Sequence, residues 1–287
     1  MSLKKTLLAA GIALALFIIY WNLGHPYFKE SRLVMFVCII VLSGTILYFI
    51  GKASRGEKIY LRDIPGLKAV EEAVGRATEM GKPVLFVPGI VDMDQVETVA
   101  GVIILGQVSK MTARYETELE VPVARSIVME AAREITKESY VSEGRPDLFR
   151  DDMVHYLTDD QFAYAAGVDG IMLRKKPAAI FYQGKFYAES LILAETGNSI
   201  GAIQVAGTGS PAQIPFFITA CDYTLIGEEF FAASAYLSQR PALLGSLKGQ
   251  DLAKFVVMAS IMIVFILNAL RDLGWIAFDI TRILTVQ

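Results

Sequence analysis

Residues 178–210 read AAIFYQGKFYAESLILAETGNSIGAIQVAGTGS, and their pattern decides the fold class. Ala178–Tyr182 is a short apolar run with the length and residue types of a buried strand. Ala188–Thr196 has helical character and meets a stop signal at Gly197-Asn198. Ile200–Ala206 is again short and apolar, and it ends in Gly207-Thr208-Gly209-Ser210. Strand, helix and strand in this order make the unit from which parallel sheets are built.

The alternation continues on both sides. Upstream, the pattern predicts strands at Pro83–Val87, Glu118–Val123 and Met153–Leu157, and helices at Gln95–Tyr115 and Ser126–Tyr140. Thr158 is expected to cap a helix running from Gln161 to Leu173, because T-D-D-Q has the spacing of a capping box. Downstream, Pro215–Ala220 reads as a strand and Glu228–Leu237 as a helix. Ile64–Met80 has helical spacing, with Pro65 in a permitted first-turn position, and reads as a connector. The expectation is one α/β domain: a Rossmann-like, mainly parallel sheet covered by helices on both faces. It occupies residues 82–250, after a connector at 52–81.

The ends of the chain have a different character. Thr6–Leu23 and Leu33–Ile50 contain no charged residue, and each approaches the ~20 residues that cross a bilayer. The short polar turn GHPYFKESR separates them, so residues 1–51 read as a transmembrane hairpin. No A-x-A site follows the first run, and a second run comes at once, so cleavage as a signal peptide is not expected. Phe255–Leu270 is a third apolar run, followed by Arg271-Asp272 and an interfacial Trp275, within a C-terminal segment 251–287. Lys4, Lys5, Lys52, Arg55, Lys58 and Arg62 outnumber Lys29 and Arg32 of the turn. The positive-inside rule then places the α/β domain in the cytoplasm, on a multi-pass protein of the cell (inner) membrane. Ala9, Gly11, Ala13 and Ala15 offer either a close helix-packing face or ordinary alanine-rich membrane sequence.

Composition agrees with a few spans joined to a folded domain. The chain has 287 residues, 54% of them hydrophobic, and a net charge of −3. No basic patch points to nucleic acid. Cys38 and Cys221 are the only cysteines and His25 and His155 the only histidines, so neither a disulfide framework nor a zinc cluster is expected. No metal or cofactor is expected.

Candidate ligand-binding residues are few. Gly207, Thr208, Gly209 and Ser210 follow a strand, where a parallel sheet binds ligands and where glycine loops expose backbone N–H groups to anions. The stretch matches neither G-x-x-x-x-G-K-[ST] nor G-x-G-x-x-G, and a turn that needs glycine geometry is the plainer reading. Ser210 lacks the G-x-S-x-G elbow, and its base would have to be His155. Cys221 closes an apolar run, as a buried structural cysteine does. Glu189, Glu195, Asp222, Glu228 and Glu229 stand at expected element ends, and the last two also suit a helix start. No catalytic residue is assigned; Glu195 and Asp222 join the glycine stretch as candidates. Phe181, Tyr182, Phe186 and Tyr187 around Gln183-Gly184-Lys185 suggest either a hairpin or an interface patch.

FYAESLILAETGNSIGAIQVAGTG (186–209), CDYTLIGEEFFAASAYLS (221–238) and LLGSLKGQD (243–251) carry a resemblance. Through them the chain resembles a prokaryotic membrane-protein family known only as a domain of unknown function, over 81–251. The resemblance implies that these stretches form one domain found beside membrane helices, and it transfers no catalytic residue. The function expected is a membrane-anchored scaffold or assembly subunit that self-associates. Its partners would be the lipid bilayer, further copies of itself and other membrane-complex subunits, and no nucleic acid. The alternatives are a tethered ligand- or nucleotide-binding sensory module and a membrane-bound hydrolase.

Overall fold

The structure is a computed structural model that describes residues 33–57 and 65–273. The expected span Thr6–Leu23 and its small-residue face lie outside the described residues. The chain divides into two compact units, 62–238 and 1–61 together with 239–287.

The first unit is α/β, as expected. Six strands, β1 (Val84–Val87), β2 (Leu119–Val123), β3 (Val154–Tyr156), β4 (Ala179–Gln183), β5 (Ile203–Thr208) and β6 (Tyr223–Ile226), form one sheet in the order β3-β2-β1-β4-β5-β6. All five pairings are parallel. This is the doubly wound order of dinucleotide-binding domains, with its switch point between β1 and β4. Both sheet faces are covered, so β1, β2, β4 and β5 are buried at every position, as their near-continuous apolar runs require.

On one face lie α2 (Pro65–Glu79), α3 (Val96–Tyr115), α4 (Ser126–Ser142) and α8 (Glu228–Ser238). Here α2 is part of the core: Ala69, Val70, Ala73, Val74 and Ala77 are buried against the sheet. Burying a valine side chain is worth roughly 1.5–3 kcal/mol, which fixes this helix to the domain. On the other face lie α5 (Gln161–Lys175), α6 (Glu189–Ser199) and α7 (Ile214–Ala220), packed through Tyr164, Val168, Leu193 and Phe217.

Four local expectations are corrected. Pro215–Ala220 belongs to helix α7, not to a strand; Pro215 sits in its first turn, where a missing N–H costs nothing. The strand in that region is β6, immediately after it. Thr158 does not cap α5: the Asp160 carboxylate accepts the Ala163 N–H at 2.9 Å, while Thr158 Oγ1 accepts the Asp160 N–H. Helix α6 continues past Gly197 to Ser199 and turns at Gly201, whose φ is +71°. Finally, Phe181, Tyr182 and Phe186 form neither a hairpin nor a patch, since all three are fully buried.

The second unit contains α1 (Leu33–Ala53) and α9 (Pro241–Asp272). Among the described residues one helix, Pro241–Arg271, is long and apolar enough to cross a membrane; Cys38–Ala53 is a shorter apolar helix. The two run antiparallel and touch through Gly245 and Gly249 of α9. A Cβ on Gly245 would lie 2.5 Å from Ile50 Cα, and one on Gly249 2.7 Å from Ile46 Cα. Glycines four apart thus set the backbone approach between these helices.

Candidate functional site

In a doubly wound sheet the ligand crevice lies beyond the carboxyl ends of the strands at the switch point. Here β1 runs into Pro88-Gly89-Ile90 and β4 into Gly184-Lys185. The two loops meet backbone to backbone. The Ile90 N–H donates to Lys185 O at 3.1 Å. Gly89 has φ +84° and Gly184 φ +149°. A Cβ on Gly89 would come within 3.0 Å of the Lys185 backbone, and one on Gly184 within 3.0 Å of the Pro88 carbonyl. Gly101, in the second turn of α3, presses equally closely on the Gln183 carbonyl. Arg125, after β2, closes the arrangement by donating Nε to Ile90 O at 3.2 Å, and Lys185 Nζ donates to Gln95 Oε1 at 3.1 Å. Protein backbone therefore occupies the place where this topology offers room to a ligand.

The sequence candidates are dispersed over this frame. Gly207 and Thr208 are the last residues of β5, and Gly209 and Ser210 follow at the carboxyl edge. Neither glycine has a positive φ. They are required by contact instead: a Cβ on Gly207 would run into the Gln183 side chain and Phe230, and one on Gly209 would crowd Phe231 and Glu97. The Ser210 N–H already donates to Thr208 Oγ1 at 3.2 Å. Glu195 is exposed on the outer side of α6. Asp222 lies at the opposite, amino edge of the sheet, where its carboxylate accepts the Gln204 N–H at 2.8 Å. The structure does not bring these candidates together.

The nucleophile readings fare no better. His155 is on edge strand β3, four strand positions from β5, or ~19 Å at ordinary strand spacing, so it cannot serve Ser210. Burial, reinforced by the negative charge of Asp222, pushes the Cys221 thiol up to about 12, which keeps it protonated at neutral pH. Among the described residues no group of three or more His, Cys, Asp or Glu could hold a metal ion.

The polar feature that sequence reasoning undervalued is Glu189. It is fully buried at the start of α6. Its carboxylate accepts Gln161 Nε2 at 2.5 Å and the Tyr187 N–H at 2.8 Å, and it faces the first turn of its own helix, whose dipole favours a negative charge. Its neighbour Ser190 donates to Tyr187 O or Gln213 Oε1, at 2.8 and 2.7 Å. The pair ties the starts of α5, α6 and α7 to one another. Its only trace in the sequence is a charge directly before an apolar run, which any helix start can show.

A groove of about 260 Å³ opens at the amino edge of β2, beside Glu116, Glu118, Tyr140, Asp147 and Arg150. Its charges are matched. Arg145 pairs with Glu116 and Asp147, Arg150 with Glu118, and Lys175 with Glu118 and Glu120. The charged groups in and around the groove are thus engaged in ion pairs with one another.

Comparison with protein families gives a match over residues 24–277 to a family described as Domain of unknown function (DUF6754). The chain belongs to this DUF6754 family. The match extends beyond the α/β domain to take in α1 and all of α9, so the helices of the second unit are part of what defines the family. No curated protein matches the chain.

Proposed function

We propose that this DUF6754 protein is a membrane-anchored assembly subunit whose α/β domain acts through its surface by self-association. The observation that carries the reading is the filled switch point: Gly89, Gly184 and Gly101 let backbone pack where the topology would seat a small molecule. A domain with that crevice closed, and with its candidate side chains dispersed, offers other molecules its outer faces.

In this reading the anchor is a three-span arrangement: Thr6–Leu23, the α1 region and the apolar part of α9, with the domain on the cytoplasmic side. The antiparallel pairing of α1 and α9 supports it, because the segments leading into and out of the domain then leave the helices at the same end. Lys52 and Arg55 stand at that end, where the positive-inside rule wants them. Tethering at both ends holds neighbouring copies at high effective concentration, so a modest interface is sufficient for assembly.

The test is the mass of the full-length protein in mild detergent or nanodiscs, by light scattering. The expected particle holds two or more 31.5 kDa chains. A single-chain particle across micromolar concentrations refutes the proposal.

A further inference from the structure

The two faces of the α/β unit differ in charge. The outer side of α2 is charged, with Lys68, Glu71, Glu72, Arg76 and Glu79 exposed. The face made by α5, α6 and α7 is not. Among its exposed positions within 161–173, 187–199 and 211–219 the charged residue is Glu195, and exposed Arg174 and Lys175 close α5.

Large apolar side chains take the place of charge. Phe162 is 60% exposed and Ile218 54%; Tyr187, Leu191, Ile192 and Phe216 are between 37% and 43%. At about 200 Å² for a fully exposed residue of this size, these six show ~500 Å² to solvent. Exposed Ala163, Ala166, Pro211, Ala212 and Pro215 between them bring the face toward the ~800 Å² that each partner contributes to a standard interface. Scattered apolar residues are ordinary on a surface; a largely uncharged centre running across three packed helices, with charge gathered at the ends of α5, is not.

We infer that this α5–α6–α7 face is the surface on which a second copy of the chain docks, about a two-fold axis crossing the middle of α5. The inference rests on the self-association proposed above and names its interface. Charge selects the occupant. Helix α5 begins at exposed Asp159 and Asp160 and ends at exposed Arg174 and Lys176, with Phe162, Ala163, Ala166 and Leu173 exposed between. A two-fold axis lays α5 antiparallel to its copy, so each acidic end meets the partner's basic end across an uncharged centre. Ala166 leaves room for the two helices to approach, while the Arg174 guanidinium lies over Gly170 one turn on. An anionic lipid surface would find no net positive charge here, because Asp159, Asp160 and Glu195 balance Arg174, Lys175 and Lys176.

The test uses full-length protein in nanodiscs with Cys38→Ser as background, since Cys221 is half-buried and its thiol is pushed up to about 12. Under mild oxidation Ala166→Cys, near the axis, is expected to give a covalent dimer in high yield. Ile127→Cys, exposed on α4 on the other face of the sheet, serves as control and is expected not to. Phe162→Asp and Ile218→Asp, each confirmed folded by its thermal transition, are expected to weaken association by about 10- to 100-fold. If Ala166→Cys cross-links no better than the control while the wild type is oligomeric, this interface is wrong and the assembly reading stands. Bilayer or a different subunit on the face would give that same result. A monomeric wild type overturns both.

Discussion

Asp169 gives the sharpest quantitative prediction. It lies on α5 facing α6, half-buried, with Thr196 hydrogen-bonded to its carboxyl group and Oδ1 buried without a partner. Burial raises its pKa above the ordinary carboxyl value of 3.8, and the Thr196 hydrogen bond offsets only part of that. A carboxyl whose folded pKa is raised binds its proton more tightly in the folded chain than in the unfolded one. Its contribution to stability is therefore fully present below the unfolded pKa and is lost as pH rises through the folded one. Above that folded pKa the domain carries an ionised, partly desolvated carboxylate. An unsatisfied buried polar group costs about 1–3 kcal/mol, and partial exposure puts this one at the lower end, about 1 kcal/mol. Asp169→Asn keeps the shape and the Thr196 contact but removes the charge. It is expected to raise the melting temperature at pH 7.5 by roughly 2–4 °C for a domain of this size. At pH 4 the gain should shrink, because the raised native carboxyl takes up its proton more readily than a free one. Thermal scans of the full-length protein at both pH values measure it. A loss of stability at pH 7.5, or an equal gain at both, would refute the reasoning.

Two further outcomes follow from close contacts and burial. Gly249→Val drives side-chain atoms into Ile46, whose Cα lies 2.7 Å from where a Cβ on residue 249 would stand, so α1 and α9 must part. A cost of about 1–3 kcal/mol, typical of overpacking, should appear as earlier thermal unfolding in detergent, and an unchanged transition would argue against the glycine contact. Iodoacetamide at pH 8 is expected to label half-buried Cys221 much more slowly in the folded Cys38→Ser protein than after denaturation; equal labelling rates in the two states would show that the thiol is not raised toward 12.

The α/β pattern was legible because β1, β2, β4 and β5 are buried on both sides and carry the apolar runs that such strands require. The last βα step was not. IPFFITA is too short for periodicity to separate strand from helix. Reading it as a strand placed Asp222 at a carboxyl edge; with α7 there, Asp222 opens β6 and stands at the amino edge. One misassigned element therefore moved a candidate to the wrong end of the sheet. Edge strand β6 gave little warning, since Leu225 alone of its four residues is fully buried. The glycines misled in a different way. Gly197 and Gly207 look like turn residues, but each sits inside an element where a side chain would collide, Gly197 with Gln204 and Tyr182, and Gly207 with Gln183 and Phe230. Such contacts join residues distant in sequence and leave no local pattern.

The same buried polar groups bear on how the uncharged face works. A surface that must order itself on binding loses part of its association energy to entropy. Beneath this face Glu189 joins the start of α5 to the start of α6, and Ser190 reaches Gln213 immediately before α7. Tyr182, buried under α6, donates to Leu193 O or Gln204 Oε1, at 2.8 and 3.0 Å, and Gln204 Nε2 reaches Ala220 O at the end of α7. The three helices are thus pinned to one another at their starts and to the sheet from below. Both sets of bonds link α5, α6 and α7 to one another and to the sheet. Glu189, Ser190, Tyr182 and Gln204 would then serve to keep the face proposed for docking rigid, which suits copies that meet laterally while tethered to a bilayer.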